Sequence, residues 1–449
     1  MIQNEMSRRR LLGLGVGLGA AATLTLSGCG GGSSSDSSGA SGNGGKDYTG
    51  PKVDLKLWNG FTGGDGDIFK TLVQQFNSEH QNIAVSVITY QWEDYYSKLP
   101  GAVSSGNGPD IAVMHMDQLA TFAARGVITE LDDVAKALEL SEGDFAPTVW
   151  KGGLYNDKRY GIPLDMHPLG FYYNKAVMQK AGLDPEKPPA TRDEYTAALT
   201  ELKKSGVQGF WVSPFQFTGG MTYYSLLHQW GGTVFDAEVA KATFNSDPAV
   251  EACTWLVDLI KQGHSPANVG QDADYLAFKS GKNAFTWNGI WQINDLKKSP
   301  NVQWGVAPLP QIGSQKAAWA NSHNFTIVKQ RSANADKTAG AKVFINWLSQ
   351  HSLDWAKGGQ VPARKAVRES SEFTALTEVN ALAPELEYAA FPPAAPGLGE
   401  VILTFSAPST RRRWARSRRS RRSTTAWPRR TSSWRTTARS TGTDPPWRT

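Results

Sequence analysis

Between residues 48 and about 408, the spacing of apolar residues changes between that of a strand and that of a helix. Val53–Trp58 alternates with period two, which is typical of a β-strand with one buried face. Ile68–Phe76 has helical spacing, and the apolar segments Ile83–Ile88 and Ile111–Met114 favour two further strands. This order of strand, helix, strand and helix predicts an α/β fold whose first strands form a parallel sheet with right-handed crossovers.

Later helices are marked by the residues at their ends. Thr191–Glu194 has the composition of a capping box, in which two side chains satisfy backbone N–H groups reciprocally. Ser246–Pro248 predicts the start of a helix that runs to Lys261. Ala333–Ser349 predicts another long helix. No Pro/Ser-rich linker divides the body, so two lobes would have to be joined by chain crossings rather than by one tether.

The composition is that of a folded protein with more than one domain. With 449 residues, 40% hydrophobic residues and 16 tryptophans, the chain can form two or three cores. Two cysteines exclude a disulfide scaffold and a Cys-rich zinc module. The net charge of +6 comes from the ends: residues 411–449 hold 13 arginines and one acid, residues 1–28 carry +2, and the remainder carries −8. Because the body is acidic, we expect no nucleic-acid partner.

The N-terminus has the organisation of an export signal. Arg8–Arg10 precede the apolar run Leu11–Leu26, which is shorter than the about 20 residues of a membrane-spanning helix. The arginine pair resembles a twin-arginine signal, and Leu26–Cys29 resembles a bacterial lipobox. This resemblance implies removal of residues 1–28, acylation of Cys29 and anchoring on the outer face of the cytoplasmic membrane. The export route stays open.

The segments on either side of the body differ from it in composition. Residues 29–47 are rich in Gly and Ser, which predicts a flexible tether. The arginine-rich tail, residues 409–449, lacks Lys, Val, Leu, Ile and Phe from residue 411 onwards. Arg, Trp, Pro, Ser and Thr are what GC-rich coding DNA yields in a wrong reading frame. We therefore interpret residues 409–449 as a frameshifted segment and assign it no function.

Five short motifs occur in the body in a defined order. They are Trp58–Asp65, Gly108–Ile111, Tyr160–Leu164 with Phe171–Lys175, Asn288–Trp291, and Gly305–Pro310. In order and spacing they resemble the carbohydrate-binding proteins of bacterial ABC importers, of the maltose-binding-protein type, over roughly residues 52–405.

The resemblance implies a two-lobe periplasmic-binding-protein fold (type II, Venus-flytrap) with several interlobe crossings. The N-lobe is expected at residues 48–164 plus about 305–345, and the C-lobe at 165–304 plus about 346–408. The lobes would close on an oligosaccharide like a hinged clamp, and the closed form would deliver it to an ABC permease in the membrane. We expect a monomer without a cofactor.

Several polar side chains are expected beyond the carboxyl ends of strands, where open α/β sheets bind ligands. Trp58 and Asp65 belong to the first strand and the turn after it, and His115 and Asp117 end the third strand. The resemblance places Asp117 at a position that hydrogen-bonds sugar hydroxyls. Helix capping or an Asx-turn is the alternative role for the two aspartates.

Asp165 and His167 follow the predicted first crossing near Ile162. In the resemblance, His167 occupies the position of an acidic ligand residue. We therefore expect both side chains to contact the sugar. The identity of the sugar stays open, because a histidine stands where the family has an acidic residue.

Aromatic residues supply the second half of the predicted site, because flat rings match the apolar faces of sugars while polar side chains match their hydroxyls. Trp291 corresponds to a stacking position of the family. The candidates of this kind are Trp230, Trp287, Asn288, Trp291, Trp319, His323 and Arg364. Core packing is the alternative for the tryptophans, and an interlobe salt bridge for Arg364. Four other tryptophans have core-like spacing and are expected to be structural: Trp255, Trp304, Trp347 and Trp355.

Two other function classes remain open for this sequence. A glycoside hydrolase needs a pair of carboxylates, which Asp65, Asp117 and Asp165 could supply. A binding protein for a phosphorylated solute, such as a glycerophosphodiester, needs clustered Lys or Arg, and only Arg364 is a candidate. No serine-hydrolase motif and no metal-ligand spacing is present, so we expect neither catalysis nor a metal.

Overall fold

The computed structural model describes residues 47–398, except residue 215, residues 237–238 and the side chains of residues 216–217. The strands are β1 Val53–Asn59, β2 Ile83–Thr89, β3 Ile111–His115, β4 Leu154–Tyr155, β5 Lys158–Arg159, β6 Ile162–Pro163, β7 Asp165–Asn174, β8 Phe285–Gly289, β9 Trp304–Ala307, β10 Ala318–Asn321, β11 His323–Ile327, β12 Val361–Pro362 and β13 Ala389–Ala390.

The α-helices connect these strands on both faces of the sheets. They are α1 Asp65–Glu79, α2 Trp92–Ser105, α3 Met116–Ala124, α4 Asp132–Ala137, α5 Pro147–Gly152, α6 Lys175–Lys180, α7 Arg192–Lys204, α8 Met221–Gln229, α9 Asp247–Lys261, α10 Ala273–Lys279, α11 Ile293–Lys297, α12 Ala335–Gln350, α13 Ser352–Ala356, α14 Lys365–Arg368, α15 Ser371–Thr374 and α16 Thr377–Asn380. Short 3-10 turns occur at Glu142–Asp144, Ile290–Gln292 and Ala383–Tyr388, and a π turn at Gln216–Gly220.

The elements predicted from periodicity and end signals are confirmed. The four predicted N-terminal elements correspond to β1, α1, β2 and β3, with α1 starting three residues earlier than its apolar pattern. The capping box at α7 forms as expected, because the Thr191 hydroxyl accepts from the Glu194 N–H while the Glu194 carboxylate accepts from the Thr191 N–H. The predicted helices after Ser246 and Ala333 are α9 and α12.

The first sheet is mixed rather than purely parallel. Its order is β2-β1-β3-β11-β6, and β1 is parallel to both of its neighbours, as predicted. Strand β11 is antiparallel to β3 and to β6. It arrives from more than 200 residues further along the chain than β3, so no local pattern could indicate its direction. His323 on β11 lies directly opposite His115 on β3.

The second sheet is built around β7, whose ten residues are all buried. The first half of β7 pairs with β12 and β10, and the second half pairs with β8 and β9. Strand β13 extends the sheet beside β10. Since β9 and β10 lie in this sheet, the chain returns to the first sheet at His323, later than the expected residue of about 305.

Three crossings between the sheets lie next to one another. The third lies just before β12, which pairs with β7 after α12 and α13 have packed in the first core. Leu164 separates β6 from β7, and Ser322 separates β10 from β11. The Leu164 N–H donates to the carbonyl of His323 at 2.8 Å, and the Ala363 N–H, just after β12, donates to the carbonyl of Leu164 at 3.1 Å. The side chains on these crossing segments are therefore held close together at the junction of the two sheets.

Separate hydrophobic cores lie beneath the two sheets. The first core combines β1–β3 with α1 and α12, and includes Phe76 and Phe344, which pack edge to face. Trp347 and Trp355 also belong to this core, so the first core extends past the expected boundary at residue 345. The second core contains Phe171, Tyr195 and many residues of α7–α9.

No helix within the described range is long and apolar enough to cross a bilayer. The predictions for the signal peptide, Cys29 and the arginine-rich tail concern residues outside that range.

Candidate functional site

The crossing segments bring three histidines together. His115 ends β3, His323 begins β11, and His167 is the third residue of β7. The rings of His167 and His323 are stacked with centroids 4.1 Å apart, and that of His115 lies 4.9 Å from His323 and 5.5 Å from His167. His167 and His323 are buried, whereas His115 is half-buried. These three side chains are called the histidine cluster below.

Asp165 is the polar centre around which the cluster is arranged. Its carboxylate is fully buried. Oδ1 accepts from Nδ1 of His167 at 3.0 Å and from the backbone N–H of His323 at 3.0 Å. Oδ2 accepts from Nδ1 of His323 at 2.8 Å and from the indole N–H of Trp355 at 2.7 Å. With four donors, the buried carboxylate is fully satisfied.

Burial and the contacts among the buried groups shift the pKa values of Asp165 and His167 in opposite directions. Burial alone raises the pKa of Asp165, but His323 and His167 outweigh it and hold that pKa well below its usual range. Burial, with repulsion from His323, lowers the pKa of His167 to about 4 despite the attraction of Asp165. Burial likewise lowers the pKa of His115 well below its usual value. His115 and His167 are therefore uncharged at neutral pH.

Asp117 lies beside the cluster at the start of α3 and is buried. Its Oδ1 accepts from the side-chain amide of Asn321 at 2.9 Å, and its Oδ2 from that of Gln118 at 3.2 Å. Asn321 ends β10 in the second sheet, so this pair joins the two halves of the molecule. Burial raises the pKa of Asp117, although both amides oppose the shift.

Asp65 is buried at the start of α1, and its two oxygens are used unequally. The side-chain amide of Gln360 donates to Oδ2 at 2.9 Å, whereas Oδ1 is buried without a hydrogen-bond partner. Burial raises the pKa of Asp65 to about 6. A buried carboxylate with one unpartnered oxygen costs stability, so we attribute the presence of Asp65 to a functional role rather than to folding.

Replacing Asp65 with asparagine is expected to stabilise the fold by about 1–3 kcal/mol at neutral pH, because the buried charge is removed while an acceptor for Gln360 is kept. The raised pKa means that the wild type loses stability as pH rises from about 4 to about 6. The stability difference between D65N and wild type should therefore grow through that window. Urea unfolding across pH measures it, with Asp54→Asn at an exposed position of β1 as the control. A D65N chain less stable than wild type at neutral pH contradicts this expectation.

Aromatic rings surround the cluster on several sides. His167 contacts Trp291 and Trp319, with centroids 6.0 and 5.9 Å away. On the other side, Trp92 stacks on His323 at 5.6 Å and Phe61 meets the same ring edge to face at 4.8 Å. Trp291 also lies against Gly63 and Gly289, where a Cβ would approach its side chain to 3.2 and 2.0 Å. These glycines permit the close approach of the ring.

The predicted site residues thus fall into two groups. The structure brings together, at the junction of the sheets, Asp65, His115, Asp117, Asp165, His167, Trp291, Trp319 and His323. Other packing contacts hold the remaining five, which are Trp58, Trp230, Trp287, Asn288 and Arg364.

The contacts of this second group are as follows. Trp58 packs edge to face on Tyr90 within a buried cluster. Trp230 lies under the Arg192 guanidinium, and Trp287 is 1% exposed inside the second core. Asn288 on β8 is buried and accepts from the N–H of Gly289.

Arg364 also belongs to this second group. Its Nε donates to the Ser349 hydroxyl at 2.7 Å, and its guanidinium lies over Phe145 at 5.9 Å. Burial lowers its pKa.

Four residues of the site were not among the sequence candidates. Trp355 was expected to be purely structural, yet it donates to Asp165 as well as packing in the core. Gln360 and Trp92 carry no sequence signal of their own. Asn321 could have been found as the polar neighbour of His323, since polar side chains are concentrated where β10 ends and β11 begins.

Chemically, the site combines neutral imidazoles, buried carboxylates and flat aromatic surfaces. Such a set can donate to and accept from hydroxyl groups while covering apolar faces. Within the described part of the chain, the hydrogen bonds and ion pairs of Asp117, Asp165 and the histidine cluster involve no lysine or arginine.

The chain is similar in sequence to known solute-binding proteins. The profile of the family described as bacterial extracellular solute-binding protein matches residues 62–352. The sn-glycerol-3-phosphate-binding periplasmic protein UgpB of Escherichia coli K12 is 26% identical over an alignment of 332 positions that covers 70% of this chain and 74% of that protein.

Solved structures agree on the fold. The GacH receptor of Streptomyces glaucescens, solved unliganded and with acarbose, has a TM-score of 0.70 and 21% identity, covering 82% of this chain and 98% of its own. The cyclic alpha-maltosyl-1,6-maltose binding protein of Arthrobacter globiformis has a TM-score of 0.66 and 25% identity, covering 82% and 94%. The predicted two-lobe α/β fold is confirmed.

Proposed function

Because the chain belongs to the bacterial extracellular solute-binding proteins, we propose that it captures an oligosaccharide between its lobes and delivers it to an ABC permease by hinge closure. The observation that carries this proposal is the junction of the sheets. There, His115 and His323 from the first sheet lie together with His167, Trp291 and Trp319 from the second part of the molecule. Such a site is complete only when the two parts are together.

Contacts at the rim support closure as the working motion. The side-chain amide of Asn294, just after the start of α11, donates to the carbonyl of Gly64, just before α1. Lys298 forms an ion pair with Asp67 at 2.9 Å, also between these elements. The ion pair is exposed, so it breaks and re-forms at little cost. Opening of the lobes would expose the aromatic surfaces to a sugar.

The aromatic supply favours an oligosaccharide over a phosphorylated solute. The curated relative named for sn-glycerol 3-phosphate supports the second candidate. An anionic solute, however, calls for cationic partners, and the polar contacts described above supply imidazoles instead. We therefore place the phosphorylated solute second, and hydrolysis of a bound glycan third.

We further propose that Cys29 carries a lipid anchor and that the Gly/Ser tether keeps the monomeric binding protein near its permease. A tether raises the effective concentration of one partner at the other without new contacts. Metabolic labelling with a fatty acid, compared with Cys29→Ser, tests the anchor. Equal labelling of both chains contradicts it.

A thermal-shift screen of the full-length chain tests the proposed ligand class. Specific binding to the native state raises the melting temperature. The screen compares neutral oligosaccharides with glycerol 3-phosphate, in the presence of a chelator. We expect a rise with oligosaccharides and no release of reducing ends. A rise with glycerol 3-phosphate alone contradicts the proposal, and accumulating reducing ends indicate a hydrolase.

Asp117→Asn is expected to weaken oligosaccharide binding about tenfold to a hundredfold, because a hydrogen bond to a charged group contributes about 1.5–3 kcal/mol. The asparagine keeps the size of the side chain, so the fold should persist. Isothermal titration measures the affinity, and Asp133→Asn at an exposed carboxylate is the matched control. If both variants bind as the wild type does, Asp117 is not a ligand residue.

A further inference from the structure

The histidine cluster has the arrangement of a metal-binding triad. One potential ligand nitrogen from each of His115, His167 and His323 lies within 4.8 Å of the other two. Two of these side chains come from the first sheet and one from the second. The spacing of the three residues in sequence gives no metal motif, because they are assembled by the crossings.

The second feature is the orientation of the rings. Nδ1 of His167 and Nδ1 of His323 each donate to one oxygen of Asp165, at 3.0 and 2.8 Å. Since a carboxylate only accepts, Nδ1 of each ring carries a proton, which leaves Nε2 as the nitrogen that a metal ion can use. Nδ1 of His115 lies 2.8 Å from the Tyr96 hydroxyl, which also accepts the His115 backbone N–H. Carboxylate–histidine pairing of this kind orients imidazoles toward a metal.

The third feature is an unsatisfied atom. Nε2 of His167 is buried and has no hydrogen-bond partner. Because the ring has no exposed surface, bulk water does not reach this atom either. A buried polar atom without a partner costs free energy, and a metal ion is one partner that satisfies a neutral imidazole nitrogen.

We propose that His115, His167 and His323 bind a divalent transition-metal ion, best matched by Zn²⁺, through their Nε2 atoms. Imidazole ligands suit this class of ion, and a three-histidine zinc site leaves a fourth position for an oxygen ligand. With Zn–N bonds of about 2.0–2.1 Å, the nitrogens of a tetrahedral site lie about 3.3 Å apart, and the potential ligand nitrogens here lie within 4.8 Å of one another.

Binding at this place has a conformational consequence. The ion joins β3 and β11 of the first sheet to β7 of the second, so it stabilises the arrangement in which the two parts are together. Trp92 and Phe61 on one side, and Trp291 and Trp319 on the other, restrict access of water. This inference concerns the metal alone and does not depend on the proposed sugar ligand.

The test uses the full-length chain without a polyhistidine tag, treated with a chelator and then titrated with Zn²⁺ alone. We expect one equivalent bound at micromolar concentration or tighter, with a rise in melting temperature. His167→Gln should lose this binding. Asp165→Asn should weaken it about 10–100-fold, which is the usual effect of a lost orienting partner. His351→Gln, a half-buried histidine at the end of α12, is the control and should bind normally.

Absence of zinc binding by the wild type overturns the proposal, and so does equal binding by wild type and His167→Gln. If His167→Gln fails to fold, zinc X-ray absorption on the wild-type complex decides. Three imidazole nitrogens in the spectrum support the site, and a spectrum without them overturns it. His115→Gln, at the half-buried member, gives the same comparison with less effect on packing.

Discussion

Replacing Asp165 with alanine is expected to lower the free energy of unfolding by about 3–5 kcal/mol. Four donors converge on this fully buried carboxylate, from His167, from the ring and backbone of His323, and from Trp355. Alanine removes all four acceptor contacts at once, and the donors stay buried without partners. Because these donors come from β7, β11 and α13, the loss affects the junction of the sheets rather than one element.

Urea unfolding of Asp165→Ala and of Asp94→Ala measures this effect. Asp94 is exposed on α2 and pairs with Lys98, so its loss should stay within about 0.5 kcal/mol of wild type. Asp165→Asn keeps one acceptor oxygen and should fall between wild type and alanine. If Asp165→Ala is as stable as Asp94→Ala, the carboxylate is not the polar centre that the hydrogen bonds describe.

Replacing Trp287 with alanine is expected to cost about 3–5 kcal/mol, the range for removing a large aromatic ring from a core. Trp287 is 1% exposed on β8 and packs on Phe210, Tyr195 and Trp255, with ring centroids 5.8–6.2 Å away. The ring fills the second core beneath the sheet. The sequence suggested that this ring stacks on a sugar. Loss of a core ring lowers stability, whereas loss of a stacking ring lowers ligand affinity.

The measurement combines urea unfolding with ligand titration of the folded protein. Trp287→Ala should lose stability while the folded fraction keeps its affinity for the ligand. Trp230→Ala is the matched control, since Trp230 is half-buried at the edge of the same core and should cost less. If Trp287→Ala keeps the stability of the wild type but loses affinity for the ligand, this ring stacks on the sugar.

The fold was predictable where its information is local. The period-two pattern of β1, the turn before β3 and the capping box of α7 depend on neighbouring residues, and each predicted element formed. The direction of β11 was not predictable in this way, because its pairing with β3 depends on a strand more than 200 residues away. The return of the chain to the first sheet was also placed too early, since β10 and β11 are separated by Ser322 alone.

The site was predictable as a set of strand ends and not as a network. His115 and Asp117 were candidates because polar residues after buried strands converge at one edge of a sheet. Asp165 and His167 were candidates because they follow the predicted crossing near Ile162, and His323 because it is close to Trp319 in sequence. Their mutual contacts were hidden, since Asp165 and His323 are 158 positions apart and Asp165 and Trp355 are 190 apart. Trp355 illustrates the difficulty: its spacing indicates a core residue, which it is, and its indole N–H has a second role.

Small-angle X-ray scattering of the full-length chain, with and without saturating oligosaccharide, tests the central claim of capture by closure most directly. The lobes interconvert between open and closed arrangements, and the sugar completes its contacts only in the closed one. The account predicts that the radius of gyration falls when oligosaccharide binds. An unchanged radius with bound oligosaccharide, or a fall produced by glycerol 3-phosphate alone, would contradict it.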